Sequence, residues 1–236
     1  MSARFEELAW RETPMGPISL RRRLEPTLKV DVYEVRLGEE FLMSSLFTVA
    51  EIELARLGLA ATSGAELDVM VGGLGLGCTA RAALEDPRVR SLTVVEALEE
   101  VIGWHQRELL PEAAALTSDP RTTLTHGDFF EMAGSKAGFD ALQDGRRFDA
   151  VLLDVDHTPR HLLHPSHAPF YTQAGLGRLA DHLHIGGVFA LWSDEAPDPD
   201  LMAVLQTVFE DAQAHVVTFP NFYTGKTSSN TVYVAR

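Results

Sequence analysis

The chain has 236 residues, 45% of them hydrophobic and 23% charged, a size and balance that fit one globular α/β unit with a short extension and exclude wholesale disorder. Its 20 Lys and Arg against 34 Asp and Glu give a net charge of −14. Such a field repels phosphate backbones and anionic membranes, so neither nucleic acid nor membrane is an expected partner, whereas small cations such as amines are attracted. Cys78 is the one cysteine, which rules out an intrachain disulfide. The N-terminal stretch lacks the apolar core of a signal peptide, and no apolar run approaches the about 20 residues of a membrane span, so a cytoplasmic protein is expected.

Residues 17–47 read as β structure. Ile18–Arg23 and Leu28–Leu37 flank the turn signal Glu25-Pro26-Thr27, and Gly38-Glu39-Glu40 turns the chain into Phe41–Leu46. Thr48 with Glu51 three residues on has the form of a capping box for a helix ending near Ala60. From Glu66 the pattern becomes strand, helix, strand. Leu67–Val71, Leu92–Val95, Thr122–Thr125, Ala150–Leu153 and Val188–Trp192 are strands, with helices over Cys78–Leu84, about Leu98–Leu109 and about Gly175–Leu183. That alternation predicts a parallel sheet with crossover helices. Ala214–Phe219 and Thr231–Val234, joined by a Pro/Asn/Gly loop, predict a C-terminal antiparallel hairpin. The expected division is a small N-terminal β segment plus helix over 1–62 and an α/β unit over 63–236.

Three strand ends carry the chemistry. Val69–Val71 runs into Gly72-Gly73-Leu74-Gly75-Leu76-Gly77 and then a helix. Glycines there permit positive φ and let the backbone approach a ligand, although Cys78 departs from the dinucleotide fingerprint. Glu96 ends the second strand, where a carboxylate can accept both hydroxyls of a ribose. After the third strand comes His126-Gly127-Asp128-Phe129-Phe130. Asp128 can accept from an adenine amine while Phe129 packs the ring, or it can serve as a helix N-cap. Gly72, Gly73, Gly75, Gly77, Glu96, Asp128 and Phe129 are therefore the expected nucleoside-binding set.

The fourth strand, Ala150–Leu153 in the run Phe148–His157, releases Asp154 and Asp156 at its C-terminal end, the edge at which open α/β sheets bind ligands. Two carboxylates can hold a cationic amine there, and one can take its proton. His157, His161, His164 and His167 follow. Their spacing raises metal ligation, but Pro159 and Pro165 interrupt any helix and no Cys joins them, so a substrate-side loop is expected and no metal.

The glycine loop, Val94-Val95-Glu96, Gly127-Asp128, Asp154 and Leu183-His184-Ile185-Gly186-Gly187-Val188 together resemble the spermidine synthase family, the polyamine aminopropyltransferases, over about residues 30–235. The resemblance implies a Rossmann-like S-adenosylmethionine-methyltransferase fold: a seven-stranded, mostly parallel sheet with an antiparallel C-terminal hairpin, preceded by a small N-terminal β unit. It also implies decarboxylated S-adenosylmethionine as donor co-substrate and transfer of its aminopropyl group to a small-molecule amine. By resemblance Glu96 binds ribose, Asp128 binds adenine and Asp154 assists the attacking amine.

The sequence departs from the family on the amine side. Gly75 stands where the family loop Gly-Gly-Gly-Asp-Gly-Gly has the Asp that grips the aminopropyl ammonium. The family's Asp-Ser-Ser-Asp reads Asp154-Val155-Asp156-His157, which puts His157 at the second diamine-binding acid, with Asp156 one residue away. Met43 takes the place of a Gln of the β segment, and Glu51-Ile52 that of an aromatic–polar pair before the first helix. Asp154 and Asp156 are the expected catalytic residues and His157 a substrate-binding one. Two other readings stay open: a methyltransferase using intact S-adenosylmethionine, and a non-catalytic nucleoside-binding homologue. The acceptor is not legible in the sequence; homodimer formation is left open.

Overall fold

The computed structural model describes residues 5–140, 142–155 and 160–236. An antiparallel sheet comes first, ordered β1(Phe5–Thr13), β2(Gly16–Glu25), β3(Val30–Leu37), β4(Glu40–Ser44). Helix α1(Val49–Ala60) leads to the large sheet, built from β5(Leu67–Gly72), β6(Val89–Glu96), β7(Thr122–His126), β8(Phe148–Leu153), β9(Leu183–Ser193), β10(Ala212–Asn221) and β11(Lys226–Ala235). The crossovers carry α2(Cys78–Leu84), α3(Glu99–Gln106), α4(Ala113–Thr117), α5(Phe129–Gly134), a 3-10 segment Pro165–Tyr171, α6(Gln173–Ala180) and α7(Pro199–Val208).

The strand order is β10-β11-β9-β8-β5-β6-β7, parallel from β9 through β7, with β11 antiparallel to β9 and to β10. The expected α/β fold, with its C-terminal hairpin and its small β unit in front, is the one observed. All six residues of β5 are buried, as a central parallel strand requires. Its side chains alternate between two cores. Val69 and Val71 pack with α1–α4, while Met70 joins Phe139, Phe148, Leu176 and Leu205 on the other face. Val94 and Val95, or Leu152 and Leu153, divide in the same way.

The small sheet is tied to the large one. Ile18, Leu20 and Val35 enter the first core, and the Arg23 guanidinium donates to the Tyr223 hydroxyl, which donates to Glu25. Helix α1 lies directly on the large sheet. A Cβ on Gly58 would stand 2.5 Å from Leu152 and 3.2 Å from Ala190.

Several elements differ from the sequence reading, among them the short α4 and the 3-10 segment Pro165–Tyr171, which it did not contain. Strand β1 has a register shift between Glu7 and Ala9, and its charges pair with Arg21 and Arg22 of β2, so period-two alternation is broken and hidden. Helices α5 and α7 also escaped, although Asp128 and Asp198 cap them and Pro199 opens α7. Thr48 sits at the N-cap position of α1, but with φ −108° and ψ 13° its hydroxyl makes no cap bond, and Glu51 lines a cavity.

Candidate functional site

The chain turns back at β5. It winds outward through β6 and β7, then returns to lay β8 on the other side of β5, leaving a crevice outside the carboxyl ends of the strands. Register brings the site residues to that edge. Gly72 pairs with Val95 and with Leu153, and Glu96 pairs with His126, so the glycine loop, Glu96, Gly127-Asp128 and Asp154 all leave the sheet together.

The glycine loop is packed from both sides. Gly73 has φ +94°, and a Cβ there would lie 2.0 Å from the Asp154 carbonyl oxygen, so only glycine fits. Gly75 has φ +46° and faces the Met43 thioether, 2.6 Å from an ideal Cβ. Gly72 abuts the Phe129 ring, and Gly77 is the N-cap of α2. From behind, His105 bonds the Gly75 carbonyl at 2.9 Å through Nε2. Burial keeps that imidazole's pKa below its ordinary value, and its Nδ1 has no hydrogen-bond partner among the described residues.

Glu96 is bonded into the loop. Its Oε2 accepts from the N–H groups of Leu74 at 3.0 Å and Gly75 at 3.4 Å, and its Oε1 from Leu98 at 2.9 Å. Burial pushes its pKa upward, and these N–H groups oppose the shift only in part.

Asp128 caps α5: Oδ1 accepts from Phe130 at 2.7 Å and Glu131 at 3.2 Å. It also lines a cavity of about 130 Å³ with Glu96, Asp154, Gly73, Gly75 and Phe129, so capping and ligand binding are compatible readings of one residue. Phe129 belongs to the aromatic core, stacked on Phe139, with one side on the cavity. Its neighbour Phe130 stacks on His167, ring centroids 3.9 Å apart, and both line the same cavity. Burial lowers the pKa of His167, against a raising influence from Asp128.

Asp154 belongs to two cavities. The second, about 530 Å³, shares Leu42, Met43, Gly75 and Asp154 with the first and adds Glu51, Trp192 and Asp194. The Thr79 hydroxyl lies 2.5 Å from Asp154 Oδ2. Cys78 also faces the larger cavity; burial first, then the charges of Glu51 and Asp154, push its thiol up to about 12, so it is not a nucleophile at neutral pH. Among the described lining residues of the two cavities there are five carboxylates and no Lys or Arg.

Asp156 and His157 lie outside the described residues. Of the other histidines after β8, His161 pairs with Glu195 at 3.1 Å, His164 bonds Ser166 and His167 stacks on Phe130. Arg160 donates to both carboxylate oxygens of Asp198, tying this segment to the start of α7. Asp68, Asp149 and His184 bring possible metal-ligand atoms within 4.8 Å of one another, at the amino-terminal edge of the sheet. There Asp68 is already engaged by Arg90, Ser91 and Arg146.

Sequence reasoning missed Thr79, His105, Trp192 and Asp194, which reach the site through chain-distant contacts that no spacing announces. His167 was expected only as part of a substrate-side loop, and it lines the smaller cavity against Phe130. Glu51 carried a local signal, and that signal suggested a cap.

No family model matches the sequence, and no curated protein matches it. The fold is similar to that of spermidine synthase from Thermotoga maritima, with 17% identity and a TM-score of 0.71 over 97% of this chain and 72% of that one. It is equally similar to a spermidine synthase in complex with the transition-state analogue AdoDATO, with 17% identity and a TM-score of 0.73 over 97% of this chain and 73% of that one. The chain has a spermidine synthase-like fold.

Proposed function

We propose that this protein is a transferase that binds an S-adenosyl-type nucleoside in the smaller cavity and moves its aminopropyl arm onto an amine held in the larger one. The observation that carries the reading is the convergence of Glu96, Asp128 and Asp154, from the ends of three strands, on one cavity across the glycine loop. Glu96 receives the ribose hydroxyls, Asp128 the adenine amine, and the Phe130–His167 stack and Phe129 wall the ring. The solved complex with a transition-state analogue belongs to a protein of the same fold, which supports a donor of this kind.

Acidity on the acceptor side suits a cationic substrate. An amine enters as its ammonium, attracted by Glu51, Asp154 and Asp194. Asp154 takes one proton from it, and the freed lone pair attacks the propyl carbon bonded to the sulfonium. The new C–N bond forms as the C–S bond breaks, and its electron pair stays on sulfur, which leaves as the neutral thioether methylthioadenosine.

One observation favours a second reading, methyl transfer from intact S-adenosylmethionine. Gly75 offers no acid to an aminopropyl ammonium, and Met43 fills the space beside it. Against it, the described lining has no Lys or Arg to receive the donor's carboxylate.

Supplying each donor with a panel of amines and following the products by mass spectrometry tests this. Methylthioadenosine formed with an aminopropylated amine is the expected result. S-adenosylhomocysteine would replace the reading with methyl transfer, and neither product across the panel would leave a nucleoside-binding protein without chemistry.

A further inference from the structure

A carboxylate acting as a general base must hold its aim while its charge changes, and ionised and neutral forms want different hydrogen-bond partners. Thr79, the second residue of α2, is 1% exposed. A helical threonine ordinarily turns its hydroxyl onto a carbonyl one turn back. Here Oγ1 instead lies 2.5 Å from Asp154 Oδ2 and 3.0 Å from the main-chain oxygen of Glu51. One side chain thus joins α2, the end of β8 and α1. A hydroxyl has a single hydrogen, so it cannot donate to both acceptors at once.

We propose that Thr79 is the positioning residue of Asp154: its hydroxyl donates to Oδ2 while Asp154 is ionised and turns to the Glu51 carbonyl when Asp154 is neutral. The inference rests on Asp154 being the base of the proposed transfer. In that step the proton passes from the acceptor's ammonium to Oδ1, and Thr79 keeps its own hydrogen, which only rotates. The bond to the carboxylate is charge-assisted and the stronger of the two. When the charge is gone, the Glu51 oxygen prevents a buried donor from being stranded. Asp154 therefore gains and loses a proton without the end of β8 moving relative to α1 and α2. Among the described residues, the titratable groups that share a cavity with Asp154 are Glu51 of α1, Cys78 of α2, Asp194 after β9 and, in the smaller cavity, Glu96, Asp128 and His167.

The test compares Thr79→Val, which keeps the shape and removes the hydroxyl, with Thr79→Ser, which keeps the hydroxyl. Circular dichroism verifies the fold, and Thr79→Ala replaces the valine variant if that one fails to fold. The expected result is a kcat about 10- to 100-fold lower in Thr79→Val, the scale of losing a hydrogen bond to a charged group. Nucleoside Kd should stay within about twofold, and Thr79→Ser within about threefold of wild type in both quantities. Equal kcat in Thr79→Val and wild type overturns the proposal, as does a serine variant as impaired as the valine one, since the methyl group would then be what matters.

A second measurement does not depend on turnover. In protein labelled with ¹³C at aspartate carboxyls, the Asp154 signal is the one lost in Asp154→Asn. Thr79→Val should raise its apparent pKa by about one pH unit, and Thr79→Ser should leave it in place. An unmoved titration refutes the role of Thr79 whatever the enzyme makes. If wild type yields no product while the titration moves as expected, it is the functional reading that fails.

Discussion

The Glu96 carboxylate lies 3.0 Å from the backbone N–H of Leu74, so the end of β6 and the glycine loop are joined through one side chain. A ribose that bonds to this carboxylate exploits an acceptor already positioned by Leu74, Gly75 and Leu98. Preorganisation of that kind reduces the entropy a ligand must lose. Glu96→Ala should weaken nucleoside binding by about 1.5–3 kcal/mol, the scale of hydrogen bonds to a charged group. Calorimetric titration of wild type and variant with the donor measures it. Unchanged affinity in a folded variant would leave Glu96 as a brace for the loop and nothing more.

Binding should also depend on pH through the same residue. Burial raises the pKa of Glu96 above the ordinary carboxylate value. If Glu96 binds the ribose as proposed, it is the ionised form that accepts from two hydroxyls, and donor affinity should fall as pH drops through the raised value. The stability term has the opposite sign. A carboxyl whose folded pKa exceeds its unfolded one favours the folded state fully below the unfolded value, and that contribution is lost as pH rises through the folded one. Donor Kd measured from about pH 8 to pH 5 should rise toward acid in wild type and stay flat in Glu96→Gln. A wild-type profile that matches the glutamine variant would assign the dependence to another group, such as His167.

The sheet was legible because β5, β6 and β8 are short apolar runs ending in glycine or acid, and periodicity and strand-end chemistry point the same way there. Gly72–Gly77, Glu96, Asp128 and Asp154 were legible for the same reason: each is the first residue past a readable strand or close to it. The larger cavity was less so. Its walls come from β4, α1, β9 and the β10–β11 hairpin; the family resemblance set Met43 and Glu51 on one side of the site, but no spacing brings Trp192 and Asp194 to them. Glu51 was hidden more actively, because Thr48-x-x-Glu51 has the form of a capping box that the backbone of Thr48 does not support.

Asp154→Asn should abolish turnover and leave nucleoside affinity nearly intact. The amide is isosteric and its oxygen can still accept from Thr79, whereas it cannot take a proton from an ammonium. Steady-state rates with calorimetry on the same preparation separate the two effects. Substantial residual turnover would move the base elsewhere, with Glu51 the first alternative, since it faces the same cavity.

Gly73→Ala should be the most damaging small substitution in the loop. The added Cβ would stand 2.0 Å from the Asp154 carbonyl oxygen, in a backbone with φ +94°. Neither partner is a flexible side-chain tip, so the loop or the end of β8 must shift. A loss of about 3 kcal/mol or more in stability is expected, together with loss of donor binding. Denaturant unfolding and donor titration check it, and a variant of wild-type stability would show that the loop adjusts freely.

Donor preference should follow from Gly75 and acceptor preference from His157. With glycine there and Met43 beside it, no acid extends from the loop toward an aminopropyl ammonium. His157 stands where the resemblance implies a second diamine-binding acid, so putrescine should be a poorer acceptor than a shorter, bulkier or less charged amine. The loop part of this can be reversed. Gly75 has φ +46°, the left-handed region that aspartate tolerates better than most side chains. The obstacle to a Cβ is the Met43 sulfur, the flexible part of a side chain, and truncating it makes room. The double variant Gly75→Asp, Met43→Ala should therefore remain folded and raise its preference for decarboxylated over intact S-adenosylmethionine. One charge-assisted contact to the ammonium is worth about tenfold or more, while the donor carboxylate of the intact compound would meet a new like charge. Competitive titration of the two nucleosides against wild type and the double variant reads the ratio directly. A ratio that does not move would mean that the donor's arm does not pass Gly75, and fast putrescine turnover by wild type would mean that the acids already present suffice for a diamine.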